Sequence, residues 1–227
     1  MKKIILPALI LLACSCLVHA QFKYQLEAGA TLSSFRAGTD NANIFLANTS
    51  ASANLNYHIA VMGDIPLRGR FGFYTGVSFD NRGAGFLQPK YNDRDQRDIS
   101  IQYLGIPAGI SYELCSTKKI SIRPALGVYG AFALGGREKG IYYSSINNSN
   151  ATIFNAIYIR SENNSQTLPT SVKPFDWGAQ ASVQAIIGRC SVSLQYTHGI
   201  KGVLTNPSLY DRQYYNSSLG LFFGYRL

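Results

Sequence analysis

Phe22-Lys23-Tyr24-Gln25-Leu26-Glu27-Ala28-Gly29-Ala30-Thr31-Leu32-Ser33 alternates with a period of two. The even positions are Phe, Tyr, Leu, Ala, Ala and Leu. The odd positions are Lys, Gln, Glu, Gly, Thr and Ser. Successive side chains of a strand point to opposite faces, so this stretch predicts a strand with one apolar face and one polar or small face. The pattern recurs from Leu55 to Val61, Phe71 to Asp80, Gly105 to Leu114, Ile120 to Phe132, Phe175 to Ile187, Ser191 to Tyr196 and Ser218 to Leu227. That makes eight strands, most of them long enough for the ~9–11 residues with which a tilted strand crosses the hydrocarbon of a membrane.

A soluble β-sandwich also alternates, so three further features decide between the two. The connections around Pro66–Gly69, Cys115–Thr117 and Gly188–Cys190 are short. Those from Arg36 to Ser52, Asn81 to Arg97, Gly135 to Ser171 and Gly199 to Tyr214 are long. A membrane barrel has short periplasmic turns and long outer loops, and a sandwich has no reason for that asymmetry. Aromatic residues cluster near both ends of the apolar face. Phe22, Tyr24, Tyr112, Phe223 and Tyr225 lie at one end, and Tyr57, Phe79, Phe132, Trp177 and Tyr196 at the other. Such girdles mark the two membrane interfaces. The opposite face is rich in glycine and carries Lys23, Glu27, Glu113, Arg123 and Arg226. An eight-stranded barrel has an interior that side chains just fill, so these charges are expected to pair inside. The fold class expected is therefore all-β, an eight-stranded antiparallel transmembrane up-and-down β-barrel.

Two local features qualify the pattern. Ile99, Ile101 and Tyr103 keep odd phase whereas Ile106 onward keeps even phase, which predicts a bulge near Leu104 that also accommodates Pro107. The segment from Gly135 to Ser171 alternates around Ile141–Ser145 and Thr152–Arg160, on either side of Asn147-Asn148-Ser149-Asn150. It reads as a hairpin standing above the membrane, with a ten-stranded barrel as the alternative.

The first residues have the form of an export signal. Met1-Lys2-Lys3 is followed by an apolar run from Ile4 to Val18, and Val18-His19-Ala20 suits cleavage before Gln21. Residues 1–20 are expected to be removed, leaving 21–227 as the barrel domain. Leu11-Leu12-Ala13-Cys14 offers a lipoprotein-type alternative, but cutting there would leave the apolar Cys16-Leu17-Val18 where a polar tether is expected. From Gln21 onward the chain has 19 Lys and Arg against 12 Asp and Glu. This basic excess is scattered over an exported chain, so nucleic acid is not an expected partner; solvated loops and lipid headgroups account for it. Cys115 and Cys190 lie in no CxxC pattern and fall at periplasmic turns, with a bridge between them left open.

No catalytic, cofactor or metal motif is present. From Gln21 onward the histidines are His58, inward and mid-strand, and His198, lipid-facing at a strand end. A hydrolytic or acyl-transfer site would need His58 with Ser78 or Ser182 within reach, and the spacing singles out neither. The expectation is a monomeric, non-catalytic barrel. Its partners would be outer-membrane lipid and, through the long loops, extracellular ligands.

Short motifs then carry a family likeness. Tyr103-Leu104-Gly105-Ile106-Pro107, Pro174-Phe175-Asp176-Trp177-Gly178, Tyr196-Thr197-His198-Gly199-Ile200 and the terminal run Asn216 to Leu227 resemble strands of PorT-like outer-membrane β-barrel proteins. The resemblance implies an eight-stranded barrel in a Gram-negative outer membrane. It also implies, as a second reading, an accessory of envelope assembly or secretion that binds partners near Arg68, Arg70, Lys118, Lys119 and Arg189. The chain departs from the family at its end, where Tyr225-Arg226-Leu227 stands in place of a terminal Phe.

Overall fold

The computed structural model describes residues 22–37, 50–90, 93–117, 119–144, 149–159, 171–203 and 214–227. The expected signal segment, Lys118 and parts of the outer connections lie outside them. Eight strands form the ring: β1 (Lys23–Ala37), β2 (Ser50–Pro66), β3 (Phe71–Lys90), β4 (Asp93–Tyr112), β6 (Ile120–Ser144), β10 (Phe175–Ile187), β11 (Cys190–Gly199) and β12 (Tyr214–Arg226). Each pairs antiparallel with its neighbour, β6 with β10 and β12 with β1, so the sheet closes on itself. Four short elements complete the set: β5 (Cys115–Ser116), β7 (Ser149–Ala156), β8 (Tyr158–Ile159) and β9 (Ser171–Val172).

The register fixes the shape of the ring. Lys23 faces Asp64, and the pairing continues through Tyr74, Gly109, Gly127, Gln180, Thr197 and Ser218 back to Ser33. One circuit thus returns to β1 ten residues further along. A shift of that size, at ~3.3 Å per residue around eight strands ~4.8 Å apart, tilts the strands by about 40° from the barrel axis. All residues on this circuit point inward.

The outward face is a continuous apolar belt. Leu26, Ile59, Val77, Ile106, Leu126, Val128, Val183, Leu194 and Leu221 are all exposed, Leu126 to 70%. On a soluble protein such a patch would be a severe liability, but in a bilayer it is the solvent-matched surface. The expected girdles flank it, with Phe22 stacked on Tyr24 and Phe71 against Tyr112 at one rim, and Tyr57 near Phe79 and Phe132 against Phe175 at the other. At the periplasmic turns Gly69 (φ 75°) and Gly188 (φ 60°) adopt the left-handed backbone that a tight reversal needs.

Two expectations need correction. Asn81 to Arg97 is not an irregular loop. β3 and β4 stay paired in one register from Phe71↔Tyr112 to Lys90↔Asp93, interrupted only opposite Ile106 and Pro107. The chain also does not shift phase near Leu104. Ile99, Ile101 and Tyr103 are inward and fully buried, in line with Gly105 and Pro107, while Leu104 and Ile106 face outward. The ladder does contain a bulge at this level, but the extra residue is Leu134 on β6, since Gln102 faces Gly135 and Tyr103 faces Ala133. The apparent phase change has another cause: above the belt the inward face becomes the apolar one.

That upper interior is the core of the molecule. Phe35, Ala84, Ile99, Ile101, Tyr103, Tyr129, Ala131, Ala133 and Tyr214 are closed over by Ile157, Val172 and Val203 from the outer connections. β6 also continues upward and pairs with β7 from Arg137↔Ala156 to Ser144↔Ser149. In the described part of the Gly135–Ser171 segment, β6 and β7 thus form a hairpin above an eight-stranded ring, as the alternation predicts. A second irregularity, in the β2–β3 ladder between Ala53 and His58, is sealed by a side chain. Ser33 Oγ accepts from the Gly83 amide (2.7 Å) and donates to the Gly83 carbonyl (2.8 Å), while Asn56 Nδ2 donates to Ser33 Oγ (2.7 Å).

Candidate functional site

The barrel interior collects the polar chemistry of the chain, in two tiers. The upper tier lies just beneath the apolar core. Arg82 of β3 is 6% exposed and Asp176 of β10 is 1% exposed. Arg82 donates from Nη2 to Asp80 Oδ2 (3.2 Å) and from Nη1 to Asp176 Oδ2 (3.3 Å). Its guanidinium lies 4.5 Å from the Tyr129 ring centre and 5.5 Å from that of Tyr103. Asp176 Oδ2 also accepts from Asn216 Nδ2 (2.7 Å) and the Tyr129 hydroxyl (3.2 Å). A buried cation is thus held between two carboxylates and two aromatic faces, the arrangement that makes burial of charge tolerable.

His58 belongs to this tier. Its Nδ1 is hydrogen-bonded to Asp80 Oδ1, and its ring stacks on Phe222 with centres 4.1 Å apart. Phe222 needs room for this, and Gly29 and Gly220 provide it: a Cβ at either would meet the Phe222 ring within 2.8 Å. Ser78 donates to Asp80 Oδ2 (2.8 Å). The structure therefore joins His58 and Ser78, as the sequence allowed, but through the acid. A nucleophile–base relay needs the imidazole between hydroxyl and carboxylate. Here Asp80 stands in the middle, so neither hydroxyl nor imidazole is activated by the other. Ser182 lies lower, with Tyr74 and Gln184.

The lower tier faces the periplasmic end. Arg123 Nη1 meets Asp64 Oδ2 (2.5 Å), and Arg123 and Arg226 lie 3.8 Å from Glu113 and Asp64 respectively. Ser121 donates to Glu113 Oε1 (2.8 Å). Gln184 Nε2 reaches Gln25 (3.3 Å) and Ser191 (3.3 Å), and Gln180 donates to the Tyr74 hydroxyl (2.9 Å). Glu27, Glu113, Arg123 and Arg226 thus line or border the interior as the alternation predicts, with Asp64 as the shared acid. The cavity among them, of about 70 Å³, has room for a few water molecules and no more. The corresponding space around His58, Asp80 and Phe222 is about 20 Å³.

Alternation places Asp80 and Asp176 on the inward face, but it does not reveal the network, because Arg82 falls in a stretch that reads as a connection. His198 is on the outward side, with Nδ1 3.2 Å from the Tyr196 hydroxyl. Cys115 and Cys190 are exposed and unpaired. Cys115 faces Ile122, which faces Ala185, which faces Val192. The thiols are therefore roughly three strand spacings apart, about 14 Å, beyond the ~7 Å between Cα atoms that a disulfide spans. No cluster of three or more His, Cys, Asp or Glu side chains that could hold a metal ion occurs among the described residues.

A closed ring with a lipid-matched exterior and a filled polar interior agrees with a match over residues 19–205 to the family model described as "Outer membrane protein beta-barrel domain". The chain belongs to this family. It is an outer-membrane protein, and the match shows the general family and nothing finer. Among solved structures the barrel is similar to OprG from Pseudomonas aeruginosa, at 10% identity over 92% of this chain and 97% of that one, with a TM-score of 0.48. It is similar to Neisserial surface protein A at 11% identity over 90% and 97%, TM-score 0.44. It is also similar to Ail of Yersinia pestis, solved in complex with the heparin analogue sucrose octasulfate, at 12% identity over 91% and 99%, TM-score 0.40. No curated protein matches the chain in sequence.

Proposed function

We propose that this protein is a non-catalytic, monomeric surface-interaction barrel that presents a rigid β-extension outside the cell. The observation that carries this reading is the length of the strands. Among the described side chains, outward apolar residues end at Phe79 on β3, Leu104 on β4 and Leu134 on β6. Pairing nevertheless continues to Lys90↔Asp93 and through Ile141 on β6, with β7 added beyond. About ten residues of each strand thus stand clear of the belt, over a lumen packed with Ile99, Ile101, Tyr103 and Ile157. A filled lumen favours contact over transport, and a hydrogen-bonded sheet holds a binding surface more precisely than a loop does. The reading includes export with removal of residues 1–20, which would leave Gln21 as the first residue of the purified protein.

Trimming the extension tests the proposal. Leu87–Gln96 and Gly140–Ile153 are each replaced by Asn-Gly, which closes the hairpins after Phe86↔Arg97 and Lys139↔Phe154. The trimmed barrel is expected to insert and to keep its heat-dependent gel mobility, while cells expressing it lose the attachment to surfaces and to one another that the full chain confers. Equal attachment with and without the extension, or steady conductance of the full chain in planar bilayers, would overturn it.

A further inference from the structure

We propose that one sector of the outer rim, on β10, β11, β12 and β1, is a docking site for phosphate-bearing lipid headgroups of the outer leaflet. Lys201 Nζ lies 5.5 Å from the centre of the Phe175 ring, and the Arg36 guanidinium lies 5.7 Å from that of Tyr215, its direct partner across the β1–β12 ladder. Lys173 precedes β10 and is tied to the same corner, its amide donating to the Val203 carbonyl (2.8 Å). Trp177 lies on β10, two residues below Phe175 and beside the Lys201 pole. It is 41% exposed, and its carbonyl accepts from the Ile200 amide (3.0 Å).

Three features make this a site and not a generic basic surface. The first is height. Leu134 on β6, Trp177 on β10 and Ile200 just past β11 are the last exposed apolar residues here among the described side chains, so charges beside them meet the headgroup layer. The second is charge. Among the described residues no carboxylate lies within ion-pair distance of Arg36, Lys173 or Lys201. Asp176, the nearest acid in sequence, points into the lumen and is held by Arg82 and Asn216. The third is asymmetry. At the same level on β2, β3 and β4 the outward residues are Leu55, Tyr57, Phe79, Asn81, Gln102 and Leu104, with no cation among them. Cations resting over ring faces keep their charge while their stems cover apolar surface. Two such poles about two strand spacings apart, roughly 10 Å, fit a wide phosphorylated headgroup or two neighbouring ones.

Trp177 is the single tryptophan of the chain and reports on the site directly. The full chain is refolded into zwitterionic phosphatidylcholine vesicles that contain either brominated phosphatidylglycerol or brominated phosphatidylcholine at the same mole fraction. We expect Trp177 fluorescence to be quenched at several-fold lower content of the anionic lipid, and high salt to weaken that preference. Arg36→Gln, Lys173→Gln and Lys201→Gln together should remove it, and Lys201→Gln alone should reduce it. Removing as much charge from the periplasmic rim, with Arg68→Gln, Arg70→Gln and Arg189→Gln, should leave it unchanged. Equal quenching by the two lipids would overturn the proposal. So would an equal loss of preference in the outer-rim and periplasmic-rim variants.

Discussion

The membrane belt and the part of the barrel above it are made from the same strands, yet they are opposite in polarity. In the belt, Leu126 and Val128 face outward and Arg123, Gln180 and Thr197 face inward. Above it, on the continuation of those strands and their neighbours, Ile99, Ile101 and Tyr103 face inward while Gln102 and Ser100 face outward. Strand geometry is blind to which face is apolar; the surrounding medium decides. Lipid rewards apolar residues outside, and water rewards them inside. The Arg82 network sits at the level where one regime gives way to the other, and it closes the wet lower lumen off from the dry upper core.

The largest effect should come from breaking that junction. Arg82→Ala would leave Asp80 and Asp176 buried without their shared cation, and losing one partner of a buried ion pair costs about 3–5 kcal/mol. We expect urea unfolding in detergent micelles to show a loss of that size. Arg82→Met together with Asp80→Asn and Asp176→Asn should lose much less, because no bare charge remains. A loss of under 1 kcal/mol for Arg82→Ala would mean that the network is solvated and the junction is not a seal.

A pair of outward substitutions separates the two regimes directly. Leu126 lies near the middle of the outward run on β6, and Gln102 lies on β4 above the belt. An arginine on the lipid face near the bilayer midplane costs about 2–4 kcal/mol. A surface change in water is usually within about 0.5 kcal/mol. Leu126→Arg should therefore destabilise the barrel in lipid vesicles and Gln102→Arg should not. Equal effects would move the edge of the membrane and with it the polarity boundary.

The same boundary explains how much the sequence disclosed. Eight strands, both girdles, the tight turns and the inward Glu27, Glu113, Arg123 and Arg226 were legible, because inside the belt every strand obeys one rule. Ile99, Ile101 and Tyr103 were misread as a phase shift, since alternation defines two faces and leaves open which one is wet. Arg82 was missed for a related reason. Asn81-Arg82-Gly83 has the composition of a turn, and only the partner strand reveals that it continues the ladder. The pairing of Asp80 and Asp176 around Arg82, residues 96 apart in the chain at the extremes, is set by closure of the ring and has no local signal.

The lower tier offers the smallest and most specific test. Glu113 lies past the end of β4 at the periplasmic mouth, where hydrogen bonds from Ser121 and Ser116, with the charge of Arg123 adding, hold its carboxyl below the usual glutamate range. A carboxyl held lower in the folded chain than in the unfolded one stabilises the fold at neutral pH, and the contribution is lost as pH falls through its folded value. Because the group is near solvent, the effect is that of a surface pair, screened by salt and far smaller than that of Arg82. Barrel stability in low-salt detergent should therefore fall slightly on acidification below the glutamate range, and Glu113→Gln should flatten that part of the profile while leaving the neutral-pH response to Arg82→Ala unchanged. An acid response that persists unchanged in Glu113→Gln would show that this carboxyl does not carry it.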